Sequence, residues 1–262
     1  MPAIDRRRFL LLSSAAGMWT LAGCAGRRCP PVDPLSPPEQ PFAWSPAEGA
    51  LVSAQRADFD IVVRQGPDAR VLRTRARPVP AGLDLAAVER RMVETMRRAS
   101  GVGIAGPQVG LGLRVAVLDL DYKTDHPRTI FVRNPAIVER SDETIDGYEG
   151  CLSIPGVGGL VRRNRRIRVE HVTRDGEVAT CEAEGANAVL WQHELDHLDG
   201  VLYVDLLLGE LLPMDEVRRL REELERGEQT RRGGDHLEGS TFLVAGSMRT
   251  GRRQRISSGT HS

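Results

Sequence analysis

Two histidines four residues apart, His193 and His197, flank Glu194 in the segment 192–198. On an α-helix, residues with this spacing lie on one face, so both imidazoles could reach one metal ion while Glu194 contacts a water beside it. With 6 histidines in 262 residues, chance would produce this H-E-x-x-H arrangement in roughly one chain in a hundred. The spacing therefore predicts a helical metal site with an adjacent general base.

A catalytic site of this kind needs a third protein ligand. The common protease continuation H-x-x-G-x-x-H matches at Gly200 but has Tyr203 in place of the next histidine, so the metzincin pattern fails. Cys151 is the preferred third ligand, whereas Cys181 alternates with apolar residues along a predicted strand and is interpreted as a core thiol. One thiolate with two imidazoles suits Zn(II) or Fe(II).

Three separated motifs occur in a fixed order along the chain. The first is GVGIAGPQ at residues 101–108, the second is EGCLS at 149–153, and the third is QHELDHL at 192–198. Together they resemble the peptide deformylases, with Gly106 replacing the second alanine of the family's G-x-G-[IL]-A-A-x-Q pattern. The resemblance covers about residues 59–226 and implies an α+β fold, with antiparallel sheets around the helix that carries the H-E-x-x-H motif.

The resemblance also implies a role for each residue of the chemical step. The metal would be Fe(II), or else Zn(II) or Ni(II), and its ligands would be Cys151, His193 and His197. Glu194 would transfer protons between the attacking water and the leaving amine. The side-chain amide of Gln108 and the backbone N–H of Leu152 would stabilise the oxyanion of the tetrahedral intermediate.

Other residues are expected to bind the peptide. Val102 and Gly103 would pair with the substrate main chain, as if the substrate were an added strand. Val189 and Leu190, one helical turn before His193, would line a pocket for the methionine side chain. The family commonly has an arginine shortly after the cysteine motif, but residues 155–159 place glycine there. We therefore expect weaker recognition of the peptide beyond methionine.

These residues predict the hydrolysis of the formyl group from N-formylmethionyl peptides, which releases formate and a free amine. Two alternatives stay open at this point. One is a metalloprotease or another amide hydrolase acting through the same site. The other is a non-catalytic, membrane-anchored module that binds peptides and keeps the metal for structure.

The pattern of apolar residues predicts the elements that position these groups. Leu85, Val88, Met92 and Met96 recur at helical spacing, which predicts a helix over 83–100 that Gly101 ends. Strands are expected at 115–118 and 129–132, and a hairpin at 167–172 and 178–183 with an Asp-Gly turn. Two further helices are predicted at 186–198 and 214–226.

Both ends of the chain are predicted to lie outside this catalytic domain, which is placed at residues 57–226. Residues 1–23 resemble a twin-arginine export signal, with Arg6 and Arg7 followed by an apolar run. The run ends at Cys24, a candidate lipidation site, and a proline-rich tether is expected over 24–56. The basic, glycine-rich segment 227–262 is expected to be a disordered tail. These features predict an exported lipoprotein held at a membrane, the alternative being a cytoplasmic protein that starts at Met18 or later.

The composition excludes several other functions. The 36 basic and 36 acidic residues balance, which argues against dedicated nucleic-acid binding because such proteins need an excess of positive charge. Lys123 is the only lysine and lies in no recognisable motif. Schiff-base and phosphate-loop chemistry are therefore not expected.

Overall fold

The computed structural model describes residues 42–66 and 68–234. The helices in this part of the chain are α1 (Pro46–Ser53), α2 (Ala86–Arg98), α3 (Ala186–Leu198) and α4 (Met214–Gly234). Its strands are β1 (Gly103–Ala105), β2 (Val115–Leu120), β3 (Arg128–Arg140), β4 (Thr144–Cys151), β5 (Ile154–Asn164), β6 (Arg166–Val172), β7 (Val178–Glu184) and β8 (Leu212–Pro213). Short 3₁₀ turns lie at Ala69–Arg73, Gly106–Val109 and Tyr203–Asp205.

Two antiparallel sheets share these strands. The larger sheet has the order β1-β2-β3-β6-β7, and the smaller one has the order β4-β5-β8. Helix α3 packs against strands of both sheets, because it contacts β1, β2 and β7 of the larger sheet and β5 of the smaller one. The predicted α+β fold with antiparallel sheets around the H-E-x-x-H helix is thereby confirmed.

The strand β2 explains how the larger sheet holds a helix on each face. Successive side chains of a strand point to opposite faces. Val115 and Val117 pack in the cluster that contains the buried face of α2, whereas Ala116 and Leu118 pack in the cluster that contains Trp191 of α3. Because both faces are covered, the first four residues of the strand, 115–118, are all apolar rather than alternating.

The predicted helix over 83–100 is confirmed with slightly narrower bounds, Ala86–Arg98. The four residues that predicted it, Leu85, Val88, Met92 and Met96, are all buried. The helix ends where Gly101 donates its N–H to the carbonyl of Met96 at 2.9 Å. The hairpin is also confirmed, with β6 and β7 in register from Arg166 opposite Glu184 to Val172 opposite Val178.

The end of the predicted tether needs a correction. Residues 46–53 form helix α1, because Ser45 and Glu48 make a reciprocal capping box and Pro46 occupies the first turn, where proline is tolerated. Glu48 is buried and accepts a hydrogen bond from the backbone N–H of Gly112 at 2.9 Å. Side chains of this segment, Trp44 and Leu51 among them, pack against the α2 cluster.

Other bounds also differ from the sequence expectations. Strand β3 continues to Arg140, and β4 and β5 form a long hairpin that the glycine-rich sequence did not indicate. Helix α4 continues to Gly234, beyond the predicted end at residue 226. The predicted export signal, Cys24, most of the tether and the tail after residue 234 lie outside the described residues. No helix of the described part has the length and apolar character needed to cross a membrane.

Candidate metal centre and active site

The three expected ligands come from two elements and meet in the interior. Cys151 is the last residue of β4, while His193 and His197 lie one turn apart on α3. The Sγ atom of Cys151 lies 3.2 Å from Nε2 of His197, and one ligand atom from each residue lies within 4.8 Å of the others. This donor set and spacing fit one divalent ion, as a thiolate and two imidazoles do in three-ligand zinc or iron sites.

The orientation of His193 is set by a carboxylate behind it. Nδ1 of His193 donates to Oε2 of Glu149 at 2.8 Å, which leaves Nε2 for a metal. Arg163 on β5 in turn donates from Nε and Nη2 to the two oxygens of Glu149 at 2.7 and 2.9 Å. Burial raises the pKa of Glu149, but the hydrogen bonds from Arg163 and His193 outweigh burial and lower the pKa to about 2. Glu149 therefore stays ionised as a fixed acceptor.

Arg163 also ties the two ligand-bearing elements together. Besides Glu149 of β4, it donates from Nη1 to Asp196 of α3 at 2.5 Å. Arg163 was not predicted from the sequence, since no motif surrounds it. Glu149 and Asp196 lie inside two of the motifs, but their partner could be found only once the β4–β5 hairpin was seen to face α3.

Glu194 lies beside the ligands in a closed environment. Its side chain is 2% exposed, and its Oε2 has no hydrogen-bond partner among the described residues. Burial raises the pKa of Glu194 to about 7, as suits a proton acceptor that works near neutral pH. A Cβ atom at Gly103 would lie 2.3 Å from Oε1 of Glu194, so a larger residue here would have to displace that carboxylate. An unpartnered buried oxygen next to three potential ligands fits a site that receives a metal and a water.

Gln108 lies in the 3₁₀ turn Gly106–Val109 and is almost fully buried. Its Oε1 accepts from the backbone N–H of Ala105 at 2.8 Å, which points the NH₂ group toward the centre. There Nε2 donates to Sγ of Cys151 at 3.4 Å. The side chain therefore presents a fixed donor at the ligand cluster.

A cleft of about 1390 Å³ opens onto these residues. The four positions expected to bind peptide line it: Val102, Gly103, Val189 and Leu190. The predicted metal ligands and catalytic residues that also line it are Gln108, Cys151, Leu152, His193 and Glu194. The structure thus brings the predicted site residues to one cavity. His197 lies behind them, 1% exposed.

Gly158 lies in the segment 155–159, where the family commonly has an arginine, and the structure shows how little room this position has for a side chain. A Cβ atom there would lie 2.4 Å from the backbone oxygen of Glu149 and 3.2 Å from Val217 of α4. The backbone of the paired strand β4 therefore leaves no room for a side chain at this position, and Val217 of α4 lies close behind it.

Comparisons with known proteins agree with this geometry. The family model for polypeptide deformylase matches residues 61–210, more than half of the chain. The chain belongs to the peptide deformylase family. It is 46% identical over 135 residues to a peptide deformylase of Acetivibrio thermocellus, covering 52% of this chain and 75% of that protein. It is 40% identical over 178 residues to one from Alkalilimnicola ehrlichii, covering 68% of this chain and 97% of that protein.

Solved deformylase structures share the fold. A Met-Ala-Ser-bound class I type b peptide deformylase from Acinetobacter baumannii superposes with a TM-score of 0.52 and 32% sequence identity, covering 57% of this chain and 98% of that one. This chain is accordingly a metal-dependent hydrolase. The family match ends at residue 210, so α4 lies beyond it.

Proposed function

We propose that this deformylase carries out its reaction with Cys151, His193 and His197 as ligands of a single divalent ion and with Glu194 as the proton-transfer residue. The reaction is the hydrolysis of the formyl group from N-formylmethionyl peptides. The observation that carries the assignment is the convergence of the three ligand atoms within 4.8 Å, with the unpartnered carboxylate of Glu194 beside them.

A divalent ion held by Cys151, His193 and His197 would supply Lewis-acid chemistry, which polarises a carbonyl oxygen and lowers the pKa of water. The chain's own groups do the rest. Glu194 accepts the proton of the attacking water and then delivers it to the leaving amine. The Nε2 donor of Gln108 and the backbone N–H of Leu152 stabilise the negative charge that develops on the former formyl oxygen. Glu149 keeps His193 in one orientation throughout.

The substrate approaches as an extended chain. β1 is an edge strand, since it pairs only with β2 in its sheet. Its neighbourhood at Val102 and Gly103 lines the cleft and offers backbone groups for pairing with a peptide. Val189 and Leu190 on α3 form an apolar wall suited to a methionine side chain. The Met-Ala-Ser ligand of the Acinetobacter baumannii deformylase supports a short peptide as the ligand class.

Formate release from formyl-Met-Ala-Ser is the direct test. We expect one formate per peptide, appearance of Met-Ala-Ser with a free amine, and no cleavage of the peptide bonds between its residues. Cleavage between residues would instead indicate a metalloprotease. Binding of the peptide without any product, by metal-loaded protein, would indicate a module that only binds peptides.

Fe(II) is the ion proposed for the physiological enzyme, as the resemblance to the deformylases implies. Zn(II) and Ni(II) are the other candidates, because all three ions accept one thiolate and two imidazoles. Anaerobic purification followed by metal analysis and reconstitution with each ion tests this. We expect about one equivalent of metal per chain and the highest turnover with Fe(II). Equal or higher turnover with Zn(II) would contradict the choice of iron.

We also propose that the mature protein starts at a lipidated Cys24 and is held at a membrane, with export through Arg6 and Arg7. The order of charged start, apolar run and cysteine supports this. Mass spectrometry of the native N-terminus and membrane fractionation test it together. A soluble form that begins at or after Met18 would contradict both the signal and the anchor.

A further inference from the structure

Helix α4 lies beyond the family match, yet it forms one wall of the catalytic cleft. The match ends at residue 210 and the helix begins at Met214. Four of its side chains line the cleft, spaced three or four residues apart so that they share one helix face: Met214, Arg218, Arg221 and Leu224. Two of these four residues are arginines.

Glycines in the β4–β5 hairpin allow this helix to come close. A Cβ atom at Gly150, next to the ligand Cys151, would lie 2.6 Å from Cε of Met214. A Cβ atom at Gly158 would meet Val217, which is fully buried. Helix α4 is therefore packed against the hairpin that carries a metal ligand, and its arginine-bearing face has a defined position on the cleft.

The two arginines have no acidic partner among the described residues. Nε of Arg221 donates to the backbone oxygen of Tyr148 at 2.9 Å, which is a neutral acceptor. Within the same part of the chain, neither Arg218 nor Arg221 forms an ion pair, whereas the neighbouring Arg219 lies 3.5 Å from Glu216. The cleft wall formed by α4 thus presents two arginines that have no acidic partner within 4.0 Å among the described side chains.

Four acidic side chains line the cleft, and three of them are held by arginines outside α4. The fourth, Glu194, is buried beside the metal ligands. Asp146 accepts two hydrogen bonds from Arg162, and Glu184 lies 3.5 Å from Arg165. Glu149 is held by Arg163. These three carboxylates therefore pair with arginines other than Arg218 and Arg221, and a wall that carries two arginines suits an anionic ligand.

We propose that Arg218 and Arg221 bind a carboxylate of the substrate that follows the formylmethionine. This inference rests on the proposed function of the cleft. Guanidinium groups suit carboxylates because their planar donors match two carboxylate oxygens. The carboxylate is either the C-terminus of a short peptide or an acidic side chain. A peptide of a few residues carries its own terminal carboxylate within the cleft, so short free formyl peptides are the substrate class that this wall favours.

Matched peptides distinguish the two sources of the carboxylate. One pair is formyl-Met-Ala-Ser as the free acid and as the C-terminal amide. The other pair is formyl-Met-Ala-Glu amide and formyl-Met-Ala-Gln amide. For the wild-type enzyme we expect the KM of the charged member to be about three- to tenfold lower in at least one pair, the range for a partly exposed, charge-assisted contact. The difference should shrink as salt concentration rises.

The variants locate the effect on α4. In Arg218→Gln/Arg221→Gln, the KM values of the charged and uncharged members should become equal. Arg218→Gln alone should remove part of the difference, and this exposed side chain makes no described contact whose loss would unfold the protein. The control, Arg219→Gln, lies on the same helix but does not line the cleft, and it should keep the wild-type ratio.

Two results would overturn the inference: equal KM values within both pairs for the wild-type enzyme, or a ratio that persists in the double variant. Either result could occur with normal formate release, so the function of the site would stand. An absence of formate from all four peptides would contradict the proposed function instead.

Discussion

Arg163→Met tests whether the buried network behind His193 supports the fold and the site. Arg163 and Glu149 are each only 5% exposed and are joined by two hydrogen bonds of 2.7 and 2.9 Å. Methionine keeps the apolar stem but leaves the carboxylate buried without its cation. Removing one partner of such a pair costs about 3–5 kcal/mol in the free energy of unfolding. For a domain of this size, that loss lowers the melting temperature by on the order of 10 °C.

The neighbouring residue supplies the control. Arg162 makes the same kind of two-point contact, with Asp146 at 2.6 and 2.7 Å, but its side chain is 55% exposed. Because water screens an exposed pair, Arg162→Met should cost less than about 1 kcal/mol. Denaturant unfolding of both variants in metal-free form gives the comparison without a contribution from metal binding.

Metal titration completes the test. Without Arg163, Glu149 holds His193 less firmly, so we expect the affinity for the metal to fall by about 10- to 100-fold. The double variant Arg163→Met/Glu149→Gln should recover part of the lost stability, because the unpaired charge of the 5% exposed Glu149 is removed and only the more exposed Asp196 is left without its arginine. It should not recover the metal affinity. Equal losses of stability for Arg163→Met and Arg162→Met would refute the argument from burial. Unchanged metal affinity in Arg163→Met would refute the positioning role.

Three further substitutions separate the roles of the site residues. Glu194→Gln should retain the metal and the fold but lose about a hundred- to ten-thousand-fold in kcat. Formate release and metal analysis measure the two effects, and loss of the metal would show that Glu194 is structural. Cys151→Ala should lose both metal and activity, which elemental analysis and turnover report, while Cys181→Ala should change only the melting temperature. Gly103→Ala should lower kcat at normal metal content, since its Cβ would displace a carboxylate oxygen 2.3 Å away; wild-type kcat would show that Glu194 has room to move.

The sequence alone was sufficient for the elements and residues whose signals are local. The spacing of His193 and His197 predicted their shared helix face, because the period of an α-helix depends only on the backbone. The apolar spacing from Leu85 to Met96 predicted α2 for the same reason. Cys151 was predicted as the third ligand from the motif that contains it, and the structure places its ligand atom within 4.8 Å of those of the two histidines.

Features that depend on contacts between distant segments came only from the tertiary structure. Arg163 is 14 residues from Glu149 and 33 from Asp196, and nothing near it marks it as their partner. Helix α1 was not predicted, because it follows a proline-rich stretch and because packing against α2 decides whether so short a helix forms. Its capping box is nevertheless visible in the sequence. The sequence predicted α4 only as a helix rich in charged residues. The structure shows that α4 packs beside Gly150 and Gly158 and that two of its arginines line the catalytic cleft. The period of a helix or a strand is a local property of the chain. The partner of a buried charge and the residues that form a cleft wall depend instead on which surfaces meet after folding.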